Sequence, residues 1–257
     1  MTLFQTLFLA LVQGITEFLP ISSSGHLVLF QKLFRMTKAP VLFDVLLHLG
    51  TLGAILVFFR QEIVSLTKDW RKEKKIWVLI IIGSVPVAIF GFFLNSKIEE
   101  IFISLTLVGI MWIVSGLLLL LARLVKVGNK SLEKKNFRTL DALVIGLFQA
   151  AALFPGISRS GATIIGGKIR HFTPEAAFLF SFLLAIPAIL GATIFELKDG
   201  SEAINPVYGV IAIVVAGIVG YFTLGLLQRI LKSNKFGSFG FYCLAVGFLA
   251  LLLGSRL

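Results

Sequence analysis

Long apolar runs separated by short polar breaks recur from one end of the chain to the other. They cover residues 3–19, 25–35, 40–59, 76–95, 101–125, 141–154, 160–170, 174–197, 206–231 and 236–254. The runs at 40–59, 76–95, 101–125, 174–197, 206–231 and 236–254 predict helices long enough to cross a hydrocarbon core of about 30 Å at about 1.5 Å per residue. The other four form two pairs, 3–19 with 25–35 and 141–154 with 160–170. Each pair is interrupted by Pro, Ser and Gly: LPISSSGH in the first, FPGISRSGAT in the second. A short broken pair predicts a re-entrant hairpin, whose irregular tip is tolerated at membrane depth only where protein buries it or it lines a wet cavity.

The two breaks are copies of one another. At an offset of 136 residues, Leu11, Gln13, Phe18, Ile21, Ser22, Ser24 and Gly25 fall on Leu147, Gln149, Phe154, Ile157, Ser158, Ser160 and Gly161. Apolar sequence of low complexity matches by accident, but Ile-Ser-x-Ser-Gly is polar and ordered, so we take the repeat as real. Each half then holds one hairpin and three spans, and an odd number of crossings turns the second copy upside down. The expected architecture is an all-α polytopic membrane protein with an inverted-topology repeat. It forms one membrane domain over residues 1–257, with a first repeat at 1–125 and a second, inverted repeat at 138–257.

Composition agrees with a membrane setting. Apolar residues make up 57% of the chain and charged residues 14%, where a soluble domain carries about 25% charged residues. The net charge of +11 does not argue for a nucleic-acid partner, because Lys and Arg sit between apolar runs, not on a polar helix or an aromatic-studded sheet. Cys243 is the only cysteine, which excludes a disulfide framework and a thiolate metal site. The opening MTLFQTLFLALVQ lacks the basic region of a signal peptide and is read as part of the fold.

Charge also orients the chain. If the first hairpin returns to its starting side, the loops at 60–75, 123–138, 168–170 and 229–235 share the opposite side and carry 17 Lys and Arg. The other side carries six: Lys32, Arg35, Lys38, Lys97, Lys198 and Arg256. Positive-inside logic places the seventeen in the cytoplasm. Both termini and the mouth of the first hairpin then face outward.

Glu17 and Arg159 are the candidate chemistry, because an ionisable residue at bilayer depth costs about 2.5–3.5 kcal/mol on insertion scales. Gln13 and Glu17, four apart, share one helix face. Pro20 then breaks that helix, Ser22, Ser23 and Ser24 occupy the tip, Gly25 lets the backbone come close, and His26 opens the next helix. A Ser-capped helix N-terminus offers N–H groups to an anion. In the second tip Ser158, Ser160 and Thr163 add hydroxyls, and Arg159 adds a planar fork suited to phosphate.

A carboxylate beside a phosphate repels it unless a divalent cation bridges them. Glu17 with Gln13 is therefore a candidate Mg²⁺ or Ca²⁺ corner. Ser23 is a candidate phosphoryl acceptor, and His26 a candidate general base, general acid or nucleophile. Ser22, Ser24, Ser158, Ser160 and Thr163 are the candidate substrate-binding hydroxyls. The simplest alternative is a structural ion pair locking the two hairpins. Asp44 and His48, one helical turn apart, are expected to hydrogen-bond each other behind the site, and His171 to be solvated.

These motifs resemble the undecaprenyl-diphosphate phosphatase family of bacteria, the bacitracin-resistance protein type. Q-x-x-x-E from Gln13 to Glu17, the following FLPISSSGH, F-D-V-x-x-H-L-G from Phe43 and PGISRSGAT from Pro155 match it in order and spacing over essentially the whole chain. The resemblance implies an integral-membrane enzyme that hydrolyses undecaprenyl diphosphate to undecaprenyl phosphate and inorganic phosphate with a divalent cation. That reaction recycles the lipid carrier for cell-wall synthesis.

The resemblance also implies Glu17, Ser23 and His26 as the reaction centre and Ser158, Arg159 and Thr163 on the diphosphate, with the nucleophile open between Ser23 and His26. Relatives carry Glu or Gln where this chain has Gln13, so a metal site of two carboxylates is not expected. The expected partners are a polyprenyl diphosphate lipid and the membrane lipids, with a homodimer left open and no nucleic acid. The competing reading is a secondary transporter or lipid flippase, since inverted repeats with broken midplane helices also build carriers. Ser23 and His26 beside an Arg clamp favour the enzyme, because a carrier needs no phosphoryl acceptor.

Overall fold

The computed structural model describes residues 1–36, 41–133, 137–196, 204–233 and 235–254, without the side chains at 41, 95–100, 102–103 and 195–196. Lys38, Lys134, Lys135, Lys198, Arg256 and the Lys97 side chain, all used in the charge count, lie outside the described residues.

Helix α1 (Leu3–Thr16) starts in a capping box. The Thr2 hydroxyl accepts from the Gln5 N–H, and the Gln5 side chain accepts from the Thr2 N–H, which satisfies two end donors at once. It ends ahead of Pro20, since the residue before a proline is pushed out of the helical region. Helix α2 (Ser23–Leu33) completes the first hairpin. Helices α3 (Val41–Phe58) and α4 (Arg60–Lys68) follow, with a 71° bend between them. Next come α5 (Trp70–Ile103) and α6 (Leu105–Leu121), then the second hairpin, α7 (Thr139–Ala151) and α8 (Arg159–Ile169). Helices α9 (Pro174–Glu196), α10 (Pro206–Lys232) and α11 (Phe239–Gly254) close the chain.

Among the described residues, four helical stretches are long and apolar enough to cross a membrane: Trp70–Leu94, Pro174–Ile194, Pro206–Lys232 and Phe236–Gly254. A fifth arises if the bent pair formed by α3 and α4 is one span. The run at 101–125 differs from expectation. Its first residues belong to α5, residues 122–125 form a turn, and the remaining α6 has 17 residues. The charged stretch at 60–75 is helical rather than a loop, because long polar side chains are good helix formers where they meet water.

The repeat extends to how the helices pack. Helices α1 and α7, α2 and α8, and α5 and α10 begin 136 residues apart. Helix α1 lies against α10 and α7 against α5, α3 against α10 and α9 against α5, while α3 meets α9 and α6 meets α11. Exchanging the halves turns this set of contacts into itself.

Helices α6 and α11 approach closely through small residues. A Cβ on Gly116 would come within 2.8 Å of the Gly240 carbonyl oxygen, and one on Gly109 within 2.9 Å of that of Gly247. Such stripes let helix backbones touch where lipid gives no hydrophobic drive for association.

Three of the four basic loops meet at one end. Lys130 exchanges backbone bonds with His171 and Thr173, Lys168 Nζ donates to the Ala122 carbonyl at 2.7 Å, and Arg170 Nε binds Asp141 at 2.7 Å. A cavity of about 230 Å³ between Arg123, Lys168, Leu231 and Phe236 joins the third loop to the other two.

Candidate active site

The site forms where the two hairpin tips meet. Beyond α1 the tip runs irregularly, so its carbonyls need donors from elsewhere. Leu19 O accepts from the hydroxyls of Ser158 and Ser160 at 3.5 and 3.3 Å. Pro20 O accepts from the Cys243 thiol at 3.4 Å, and Ile21 O from the Trp112 indole N–H at 2.8 Å. Ser22 O accepts from His26 Nδ1 at 2.7 Å. Four successive carbonyls are thus held by side chains of α8 with its cap, α11, α6 and α2.

Ser22 itself sits at φ +67, a left-handed conformation that costs a non-glycine residue about 1–3 kcal/mol. Its hydroxyl accepts from Gly25 N at 3.3 Å and from Gly156 N of the other tip at 3.1 Å, which holds the turn.

This turn places the first residue of α2, Ser23, back over the end of α1. The Ser23 hydroxyl donates to Glu17 Oε2 at 2.6 Å, and Gln13 Nε2 donates to the same oxygen at 3.2 Å. Arg159 Nη2 donates to Oε1 at 2.7 Å, and His48 Nε2 lies 3.8 Å from Oε2. One buried carboxylate therefore gathers a hydroxyl, an amide, a guanidinium and an imidazole from four helical segments. The Arg159 guanidinium also packs over the Phe182 ring at 5.3 Å, so its plane is fixed on two sides. The Glu17 side chain is 6% exposed and that of His48 31%, so His48 is the member of this pair nearer the protein surface.

The remaining sequence candidates are engaged as follows. Ser22 and Ser158 cap their helices and pair with Ser24 and Ser160, each at 3.2 Å. Thr163 donates to the Arg159 carbonyl at 2.8 Å and meets the Ser181 hydroxyl at 2.5 Å. His26 stands apart from Glu17. Its Nδ1 donates to Ser22 O, and its Nε2 is hydrogen-bonded to the Tyr242 hydroxyl, 2.8 Å away.

His48 departs from its expected pairing. Its Nδ1 donates to the main-chain carbonyl of Asp44, not to the carboxylate, and its Nε2 turns toward Glu17. The Asp44 carboxylate instead accepts from Gln31 at 2.9 and 3.2 Å. Trp112 and Tyr242 are the site residues that sequence reasoning passed over, and His48, expected behind the site with Asp44, lies against Glu17 itself. For His48 the available signal was its place as an ionisable group inside an apolar helix.

Gln13 Oε1 is buried without a partner beside Glu17. The pair offers a hard cation two oxygens. Among the described residues no group of three or more His, Cys, Asp or Glu surrounds them. That donor set fits an ion such as Mg²⁺, which takes one or two protein oxygens and fills its shell with water and substrate phosphate.

Residues 6–249 match the family described as Bacitracin resistance protein BacA. The chain belongs to the BacA family. It is 43% identical to the undecaprenyl-diphosphatase of Carboxydothermus hydrogenoformans, with 98% of each chain covered. It is 38% identical to that of Halothermothrix orenii, again over 98% of each. The Thermosipho melanesiensis enzyme of the same name is 40% identical, over 96% of this chain and 98% of its own. The BacA match spans both hairpins, so both halves of the cluster fall within the family's shared region.

Proposed function

We propose that the chain hydrolyses undecaprenyl diphosphate to undecaprenyl phosphate and inorganic phosphate, with Ser23 as nucleophile and Glu17 as its base. The observation that carries this reading is the divided carboxylate: Ser23 Oγ on one Glu17 oxygen at 2.6 Å and Arg159 Nη2 on the other at 2.7 Å. A nucleophile in contact with its base and a cation at the same carboxylate is the arrangement that phosphoryl transfer to a hydroxyl requires. Both ring nitrogens of His26 are engaged away from Glu17, which supports Ser23 over His26 as the acceptor. His26 then fixes the strained Ser22 turn that presents Ser23.

In this reading Arg159 passes from Glu17 to the incoming diphosphate, freeing the carboxylate to take a proton. Ser23 Oγ attacks the terminal phosphorus while its proton moves to Glu17. The bond between that phosphorus and the bridging oxygen breaks, and the lipid phosphate leaves with the proton from Glu17. Water, deprotonated by Glu17, then attacks the phosphoseryl group and releases inorganic phosphate, restoring Ser23. A divalent cation held by Glu17 and Gln13 would offset the charge of the phosphate oxygens. Nothing in this chemistry requires a second copy of the chain.

We further propose that the repeat is inverted in the plasma membrane, with the termini and the mouth of the first hairpin outside. The charge split supports it, as does the meeting of three basic loops at one end of the fold. Single cysteines at Lys38, Lys97, Lys130 and Lys235 in a Cys243→Ser background test it. The first two should react with an impermeant thiol reagent in intact cells and the last two only after lysis. Labelling of the Lys130 position from outside would overturn the orientation.

For the activity, purified protein with undecaprenyl diphosphate should release inorganic phosphate, and Ser23→Ala should not. Movement of the intact lipid across a vesicle membrane without phosphate release would favour the carrier.

A further inference from the structure

Gln149 is 1% exposed, and both atoms of its side-chain amide lack a partner. A buried amide left without partners is destabilising, and Leu or Met would fill the same space without that cost. The amide therefore has something to bind. The repeat indicates where.

In the first hairpin, Gln13 and the side chain at position 23 converge on the Glu17 carboxylate. The offset of 136 residues carries Gln13 to Gln149, position 23 to Arg159 and Glu17 to Leu153, while His48 falls on Leu184. The second hairpin thus keeps the amide and has a cation at the position of the hydroxyl, and the carboxylate between them is gone. Arg159 reaches across to Glu17 with Nη2 and leaves Nη1 buried and unpartnered. By the repeat, an amide and a guanidinium N–H, both unpartnered, flank the position at which Leu153 stands in place of the acceptor.

We propose that this vacated position is an oxyanion subsite. Gln149 Nε2 and Arg159 Nη1 bind the phosphate that stays on the lipid, while Arg159 Nη2 and the first hairpin handle the terminal phosphate that is transferred. A carboxylate and a phosphate accept the same donors, so one repeat carries the anion as a side chain and the other receives it from the substrate. Arg159 spans the two phosphates, as a planar fork with separate N–H edges can. The inference rests on the phosphatase reading and adds Gln149 as a substrate-binding residue that distinguishes diphosphate from monophosphate.

The test uses the purified full-length protein, Gln149→Leu and Gln149→Glu, with two readouts. In phosphate release from undecaprenyl diphosphate, Gln149→Leu should lower kcat/KM about ten- to a hundredfold, the loss expected for a hydrogen bond to a charged group. Gln149→Glu should lower it further by repelling the anion. In thermal unfolding, inorganic pyrophosphate should raise the Tm of the wild type more than inorganic phosphate does. Gln149→Leu should lose that difference while its own Tm without ligand stays equal or rises.

Wild-type kcat/KM and an unchanged pyrophosphate shift in either variant would overturn the subsite and leave the amide to a buried water. The subsite also falls if Gln149→Leu loses activity only in step with a drop in its ligand-free Tm. Absence of phosphate release by the wild type would instead overturn the function, and the pyrophosphate shifts would still report on Gln149.

Discussion

The two hairpins share a scaffold and divide the chemistry. Each has an 11-residue ascending helix capped by a serine whose hydroxyl accepts from the N–H three residues on, and each cap pairs with a second serine at 3.2 Å. At the chemical positions they part: Glu17 against Leu153, Ser23 against Arg159, His26 against Ala162. The left-handed backbone is also placed differently, on Ser22 in the first tip, where it strains a non-glycine residue, and on Gly156, at φ +102, in the second, where glycine adopts it freely. The first tip is held by its carbonyls, which accept from four directions. The second is held by its amides, with Gly156 N and Ser158 N donating to Ser22 and Ser115. Duplication supplied the turn, and substitution within it gave one copy a carboxylate and a hydroxyl where the other has leucine and arginine, which the proposed mechanism uses as an acid-base side and an anion-binding side.

Removing the acid-base side should have the largest effect. Glu17→Gln keeps the shape and can still accept from Ser23, but it cannot take a proton, so kcat should fall about 10²–10⁴-fold, the range of a general base. Because an intramembrane charge is removed, the variant should insert and fold normally. If it expressed poorly yet kept its specific activity, Glu17 would be a structural partner of Arg159 and no base.

Weakening the anion side comes next. Arg159→Lys keeps the charge and loses the fork, so phosphate release should slow about ten- to a hundredfold from the loss of one charge-assisted hydrogen bond. Wild-type turnover in this variant would remove the clamp from the mechanism and with it the division between the hairpins.

How far the division could be read from the sequence follows from the range of the interactions. Caps, breaks and the Gln13–Glu17 turn are local, and Ser-x-Ser-Gly after Pro20 or Pro155 specifies them within a few residues. The meeting of Glu17 with Arg159 was also legible, because two intramembrane charges of opposite sign on two copies of one tip have few other partners. The holders of the first tip were not. Trp112, Tyr242 and Cys243 lie 91 to 223 residues from the groups they bind, in apolar helices where each reads as packing. The length of α5 was hidden for another reason. Lys97, Glu99 and Glu100 end an apolar run, but charge does not end a helix, which continues to Ile103.

Strain in the two tips should separate by a smaller margin, read as thermal stability. Gly156→Ala puts a Cβ 2.5 Å from the Val108 carbonyl oxygen and 2.7 Å from Met111 Cβ at a positive φ, so a loss of about 1–3 kcal/mol is expected. Ser22→Gly relieves the strain already present in the first tip but removes the hydroxyl that Gly25 N and Gly156 N use, and the opposed changes should leave Tm nearly constant. Equal destabilisation by both would mean that the hydroxyl bonds, not the backbone angle, set the stability of the tips.

The smallest effect should come from the thiol that holds Pro20. Cys243 is fully buried, and its Sγ donates to the Pro20 carbonyl at 3.4 Å. Serine keeps a donor at that point on a shorter bond, so Cys243→Ser should shift stability by less than about 1 kcal/mol. Valine fills similar space and has no donor, which leaves the carbonyl unpaired in a dry interior at a cost of about 1–3 kcal/mol. Comparing the two variants by thermal unfolding isolates the carbonyl from the packing around it. If valine proved as stable as serine, the first tip would not depend on donors to its carbonyls, and the contrast with the amide-held second tip would fail at this residue.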